Sequence, residues 1–416
     1  MEETEVVTCF LRHDAEVLLL CRSEAVGSYR GQWGGVAGHA EGDPDSAARR
    51  EIAEETGLSD AVTLLRRGEP FDVVDEDRGT RWIVHPYLFE SEHRTVETDW
   101  ETSEYEWVHP TKILRRETVP DLWSSYDRVR PNVSTVAEDR EHGSAWLSVR
   151  ALSVLRDEAG LAAWGEDGDW SSVAAIARRL RDARPSMPVV ANRVNRVMAN
   201  ADRRTPERVE RGAREAIDDA LAADEAAAVA ATDRLPDRVA TLSRSGTVRT
   251  ALERADPDAV LVAESRPGGE GVAVAESLAE KTDVTLSSDA GLAWAIREWD
   301  AGAVLVGADA IRPDGAVLNK VGTRAAGLAA AHEGIELLVV SAADKISPEG
   351  DLVIESADPG MVYDGPAALS VFSPLFDVTP PDVIDAIATD RGVLEPEGIE
   401  AVAAEHRENA DWPERE

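Results

Sequence analysis

Apolar residues in the first 130 positions come in short runs rich in β-forming side chains, at 6–11, 16–21, 82–90 and 105–109. Such runs predict strands. Between the second and third, a stretch of helical character over 44–57 opens on proline and closes on glycine, the boundary residues of a helix. A closing helix is predicted over 120–129, broken by Arg130-Pro131-Asn132. From about 140 to 235 the chain turns alanine- and arginine-rich, and apolar residues recur at helical spacing over 145–159, 170–181, 191–201 and 206–233. Beyond 236 the pattern changes again. Apolar runs at 238–242, 259–264, 283–287, 303–307 and 336–341 end in small or polar residues and alternate with helix-like stretches. That alternation predicts a parallel, doubly wound sheet, whose ligands collect at the carboxyl ends of its strands. The expected divisions are therefore 1–132, 133–235 and 236–416, α/β in class, with a helical middle segment. No low-complexity segment or internal repeat interrupts them.

Length agrees, since 416 residues exceed one ordinary core. A composition of 43% hydrophobic and 30% charged residues suits a globular chain. No apolar run approaches ~18 residues and the start, Met1-Glu2-Glu3-Thr4-Glu5, is acidic. The expectation is a cytoplasmic protein with no membrane partner. Cys9 and Cys21 are expected to be small buried thiols, with neither a disulfide framework nor zinc spacing.

Charge changes the picture more. Eighty acids against 44 bases give a net charge of -36, and only Lys112, Lys281, Lys320 and Lys345 are lysines. A diffuse acidic excess almost without lysine resembles proteins of halophilic archaea, because molar salt shortens the Debye length to ~3 Å and screens the self-repulsion. It excludes a broad basic face, so a nucleic-acid partner is not expected. In a lysine-poor chain each retained lysine invites a local reason.

The sharpest local signal is Arg50-Glu51-Ile52-Ala53-Glu54-Glu55-Thr56-Gly57-Leu58. Glu51, Glu54 and Glu55 stand at i, i+3 and i+4, so they share a helix face. Three like charges there call for a cation, and hard divalent ions take oxygen ligands and bridge phosphates. The string resembles the Nudix box, G-x5-E-x7-R-E-U-x-E-E-x-G-U with U aliphatic, and its last nine positions match. The upstream half fits only with altered spacers: Gly38-x4-Asp43-x6-Arg50, the preferred register, or Gly35-x5-Glu41-x8-Arg50. Glu41 and Asp43 compete for the acidic role. The resemblance covers residues 1 to about 130 and implies an α/β/α sandwich. It also implies Glu51, Glu54, Glu55 and the Gly38 carbonyl as ligands of Mg²⁺ or Mn²⁺, Glu51 or Glu54 in catalysis, and Arg50 as the group that orients a glutamate. The implied reaction is hydrolysis of a nucleotide or nucleotide sugar, a nucleoside diphosphate linked to another group.

A second set of strings falls at expected strand ends: Thr241-Leu242-Ser243-Arg244-Ser245-Gly246, Glu264-Ser265-Arg266-Pro267, Ser288-Asp289, Gly307-Ala308-Asp309 and Asn319-Lys320-Val321-Gly322-Thr323. Small residues there let backbone N–H groups approach an anion. Arg244, Arg266 and Lys320 add charge. Phe376-Asp377-Val378-Thr379-Pro380-Pro381 is expected to be a stiff turn. Together these resemble the family of translation initiation factor 2B α, β and δ subunits, which includes methylthioribose-1-phosphate isomerase and ribose-1,5-bisphosphate isomerase. The runs from Gly307 to Thr323 and Val378 to Glu397 carry the resemblance, which covers about 140 to 400. It implies a Rossmann-like domain binding a sugar phosphate or nucleoside monophosphate through Arg184, Arg244, Arg266, Asn319 and Lys320, and a homo-oligomer. The isomerases move protons with a cysteine and an aspartate. The aspartate matches Asp309, while the cysteine position holds Ser243, a far weaker acid than a thiol of pKa ~8.5.

Three readings follow from the sequence. The first is a metal-dependent diphosphate hydrolase with a ligand-binding second domain. The second is a ribose-1,5-bisphosphate-type isomerase. The third is a non-catalytic regulatory protein related to initiation factor 2B.

Overall fold

The computed structural model describes residues 2–40, 42–166 and 168–412. Contacts divide the chain into two compact units, Met1–Asn132 with Arg156–Asp169, and Val133–Leu155 with Trp170–Glu416.

The first unit is built on an eight-stranded sheet. At its centre Glu2–His13 runs parallel to Thr80–Ser91, with Val6 opposite Val84. Glu16–Arg22 and Val36–His39 flank the first strand antiparallel. Successive side chains on a strand point to opposite faces, so this sheet carries two cores. Val7, Cys9 and Leu11 pack with Leu18, Leu20 and Ile52 on one face. Phe10, Val17 and Leu19 pack with Leu122 and Tyr126 on the other. The first face is covered by the helix Pro44–Thr56 and the second by Leu122–Asp127, so the unit is an α/β/α sandwich. Cys9 is fully buried, whereas Cys21 is only half-buried, its Sγ 3.5 Å from the Gly31 carbonyl, because it lies near the end of its strand. The strands 62–67 and 71–75 escape the sequence reading because few of their side chains are fully buried.

The second unit begins helical. Val133–Glu138, the helix Ser144–Trp164 as far as Leu155, Trp170–Arg181, Pro188–Ala199 and the 27-residue Pro206–Thr232 precede a seven-stranded sheet. Six of its strands are parallel: Asp283–Ser287, Ala259–Ala263, Arg238–Thr241, Ala303–Val306, Glu336–Val340 and Ala386–Thr389, in spatial order. Gly392–Val393 closes one edge as an antiparallel hairpin. Alternation again makes two cores: Val304, Val306, Leu337 and Val339 face one way, Ala303, Leu305, Leu338 and Val340 the other. That is the doubly wound, Rossmann-like arrangement. The segment from Phe376 is not a turn at first. Phe376–Thr379 pairs antiparallel with Val317–Lys320 before the prolines turn the chain. Among the described residues no helix is long and apolar enough to cross a membrane.

Candidate functional site

Each unit holds a cleft. In the first, helix Pro44–Thr56 supplies the acids. Asp43 caps it, accepting from the Ser46 N–H at 3.1 Å and the Ser46 hydroxyl at 2.7 Å. Asp43 is thus engaged in starting the helix; Glu41, its rival for the acidic role, lies outside the described residues. Ile52, fully buried, pins the helix to the sheet, which is worth about 1.5–3 kcal/mol. Gly57 ends it at φ 70°, in the left-handed region that glycine enters without strain.

With Ile52 turned inward, the acidic face borders a cleft of about 600 Å³. Arg50, Glu51 and Glu54 line it with Ala37, Gly38, His39 and Glu101. The Arg50 guanidinium donates to Glu51 Oε1 at 2.8 Å and to the His39 carbonyl at 3.1 Å, which fixes the carboxylate against the strand. Gly38 faces the same carboxylate so closely that a Cβ there would overlap it. Glu55 is buried and accepts from the Ala37 N–H at 3.2 Å. Burial pushes its carboxyl up to about 8 against that hydrogen bond, and Glu51, Asp99 and Glu101 push further. Glu101 is likewise raised by burial and by Asp99. Among the described residues no three His, Cys, Asp or Glu side chains close on a point as a metal cage does. The donor set still suits a hard divalent ion: it is all oxygen, and the strongest charges acting on buried Glu55 are carboxylates. Tyr29 and Trp82 also line the cleft, tied by Trp82 Nε1–H donating to the Tyr29 oxygen at 3.1 Å and Tyr29 donating to Asp75 at 2.6 Å.

In the second unit the loops after the strands surround a cavity of about 510 Å³. It brings together Ser243, Arg244, Asp309, Asn319, Lys320 and Arg184. Arg266 is not among them. Its backbone N–H is held by Asp289 at 2.6 Å, and its side chain is exposed and paired with Glu264. The physical reason is the same anchor: Asp289 also takes the Ser265 N–H at 2.8 Å, so its carboxylate shapes the Ser265–Arg266 loop. Arg184 is buried, its guanidinium 3.0 Å from Glu355, which also accepts from Ser186. Arg244 donates to the Glu141 carbonyl. Asn319 donates to Thr323 at 3.0 Å. Asp309 accepts from the Ser144 hydroxyl at 2.8 Å.

Several residues here were invisible to motif reading. Ser144 and His142, stacked on Trp146 at 3.8 Å, come from the helical segment, where nothing in the string marks them. Glu270 stands 2.7 Å from the Lys320 ammonium. Lys345 donates to the Ala308 carbonyl at 2.7 Å. Lysine scarcity was the available signal: two of the chain's four lysines, Lys320 and Lys345, are buried at this one cavity. The Ala343–Lys345 turn is fixed in turn by Asp344, against which Arg193 and Arg196 pack at 2.9 Å. Burial would raise Asp344, but His406, Arg196 and Arg193 outweigh it and hold the carboxyl well below the usual range.

The fold and the two clefts divide the chain into an acidic-helix sandwich and a doubly wound fold whose cavity is lined by arginine and lysine. Residues 140–396 match the initiation factor 2 subunit family and residues 3–131 the NUDIX domain. The chain belongs to the initiation factor 2 subunit family and carries an N-terminal NUDIX domain. Ribose 1,5-bisphosphate isomerase of Haloferax volcanii is 30% identical over 298 residues, 66% of this chain and 92% of that one. The enzyme of that name from Methanocaldococcus jannaschii is 32% identical, covering 53% of this chain and 75% of its own length. Methylthioribose-1-phosphate isomerase of Methylococcus capsulatus is 34% identical over 36% of this chain and 46% of its own. Among solved structures, translation initiation factor eIF-2B of Pyrococcus horikoshii OT3 shares the fold at a TM-score of 0.55, 24% identical, covering 63% of this chain and 94% of that one.

Proposed function

We propose that the first unit hydrolyses a nucleoside diphosphate linked to a second group, using Mg²⁺ or Mn²⁺, and that the second unit binds a sugar phosphate. The observation that carries the first half is Glu55: a buried carboxyl raised to about 8 beside other carboxylates, at the end of a complete charged string from Arg50 to Glu55. Glu51, Glu54, Glu55 and the Gly38 carbonyl would hold the ion. When bound, it supplies a water of lowered pKa and neutralises charge on the leaving phosphate. Arg50 holds Glu51 in place and limits its rotamers. The rings of Tyr29 and Trp82, which line the same cleft, would take a base or sugar. The test is a screen of nucleoside diphosphate sugars in high salt with Mg²⁺ or Mn²⁺. Turnover of none, with either ion, contradicts the proposal.

The second half rests on Lys320, Lys345, Arg184 and Arg244 gathered around one cavity in a chain of net charge -36, and on relatives named for ribose phosphates. Calorimetry with ribose 1,5-bisphosphate checks it, and absence of heat contradicts it. The reading extends to a homo-oligomer. Leu286 and Trp294 are exposed at the sheet edge and its following helix, and the eIF2B-β2-δ2 complex of C. thermophilum, similar in fold at a TM-score of 0.53 and 21% identity, is tetrameric.

A further inference from the structure

Ser243 occupies the position where a proton-carrying thiol is expected, and its hydroxyl is too weak an acid to replace one. The structure places a carboxylate beside it. Ser243 has φ 66°, a left-handed conformation that a non-glycine residue adopts only when its surroundings impose it. Its N–H donates to the buried Ser265 hydroxyl at 2.7 Å, and its own hydroxyl lies 3.5 Å from Glu270 Oε1. Glu270 opens the helix Glu270–Leu278 and borders the cavity.

Two close approaches bring it there. A Cβ on Gly271 would overlap the Ala263 carbonyl at the end of the neighbouring strand, so glycine lets the helix start against the sheet. A Cβ on Gly268 would overlap the Glu270 carboxylate and stand 3.5 Å from Lys320 Nζ. Glycine at 268 thus keeps open the space that the Glu270–Lys320 pair fills. Lys320 is 5% exposed, and its ammonium sits 2.7 Å from Glu270. Lys320 and the Ser243 hydroxyl thus hold the Glu270 carboxylate at the edge of the cavity. Asp309, held by Ser144, borders the same cavity.

We propose that Glu270, in place of a thiol, is the proton-transferring base of this pocket and acts with Asp309 to isomerise an aldose 1-phosphate. The proposal rests on the reading that the pocket binds a sugar phosphate. Glu270 removes the proton from C2 while the C1–ring-oxygen bond breaks, and Asp309 gives its proton to the departing ring oxygen. The electron pair left at C2 becomes the C1=C2 bond of an enol phosphate. Glu270 then returns its proton to C1, and Asp309 takes the proton of the C2 hydroxyl as the carbonyl forms. The product is the open ketose 1-phosphate. Both side chains end as they began, and no oxidant or reductant is needed.

The proton resting on Glu270 exchanges with solvent, which supplies the readout. The full chain in D₂O and high salt is given ribose 1,5-bisphosphate and followed by NMR, with calorimetry measuring binding separately. The wild type forms ketose carrying deuterium at C1. Glu270→Gln slows that by about 10²–10⁴-fold, the usual contribution of an acid–base group, while still binding the probe. Binding by the wild type with neither ketose nor deuterium overturns the inference and leaves the binding reading intact. A wild type that does not bind overturns both. Equal rates in Glu270→Gln and wild type also overturn the inference. If Glu270→Gln does not bind, Glu270→Asp decides. It sets the carboxylate back by one methylene, and wash-in about 10²-fold slower with binding retained supports the inference. An unchanged rate overturns it.

Discussion

Around Glu55 the strongest neighbouring charges are the carboxylates Glu51, Asp99 and Glu101. Around the second cavity two acids face bases, Glu270 meeting Lys320 at 2.7 Å and Glu355 meeting Arg184 at 3.0 Å, while Asp309 is held by the Ser144 hydroxyl; nearby, Asp344 meets Arg193 and Arg196. The first cleft gathers carboxylates, and the proposed function has a cation from solution bind among them. The second carries its own cations, Arg184, Arg244, Lys320 and Lys345, and the proposed function has an anionic ligand bind there. Paired buried charges cost desolvation but fix geometry, whereas burial and neighbouring like charges raise the proton affinity of a carboxylate such as Glu55. So the two sites should respond differently to the same perturbation.

Chelation should separate them most sharply. With EDTA, hydrolysis of a nucleoside diphosphate sugar should fall to background, while calorimetric binding of ribose 1,5-bisphosphate stays unchanged. Loss of both would show that the clefts do not differ in this way.

The next effect is on stability. Asp344→Asn leaves Arg193, fully buried, facing a neutral side chain. Removing one partner of a buried pair costs about 3–5 kcal/mol, read as a lowered urea midpoint of the second unit. The sign with pH follows from a depressed carboxyl. The stabilisation is complete above the unfolded value of ~3.9 and fades as pH falls below it toward the folded value. The wild type should therefore lose more stability than Asp344→Asn between about pH 5 and pH 2; parallel curves would contradict the role given to this carboxylate.

Smaller changes sharpen the contrast. Lys320→Met should weaken ribose 1,5-bisphosphate binding by roughly ten- to a hundredfold, the worth of a charged hydrogen bond, without altering hydrolysis. Arg50→Ala should do the reverse, slowing hydrolysis by about ten- to a hundredfold because Glu51 loses the group that orients it.

The two regions were also unequally legible in the sequence. The helix Pro44–Thr56 could be read almost to the residue, since proline, glycine and the Glu51–Glu54–Glu55 spacing are local signals. The parallel strands were legible because apolar runs buried on both faces stand out. The strand Val317–Lys320 and its partner Phe376–Thr379 were not read as a pair, because 55 residues separate the hydrogen-bonded partners Gly322 and Asp377. The same distance problem hid Ser144, which meets Asp309 across 165 positions. Arg266 lies off the cavity, since its position after a strand end says nothing about the direction Asp289 imposes on its loop. Glu270 lacked any string of its own; only the fold sets it beside Ser243 and Lys320.

Whether the acidic helix carries a hydrolytic site is the central question. Wild-type protein and Glu54→Gln, compared with Mg²⁺ in high salt on the same nucleoside diphosphate sugar, give the direct measurement. The wild type should release a nucleoside monophosphate, and Glu54→Gln should do so about 10²–10⁴-fold more slowly, with an unchanged unfolding midpoint. Equal rates in the two proteins would contradict a hydrolytic site there.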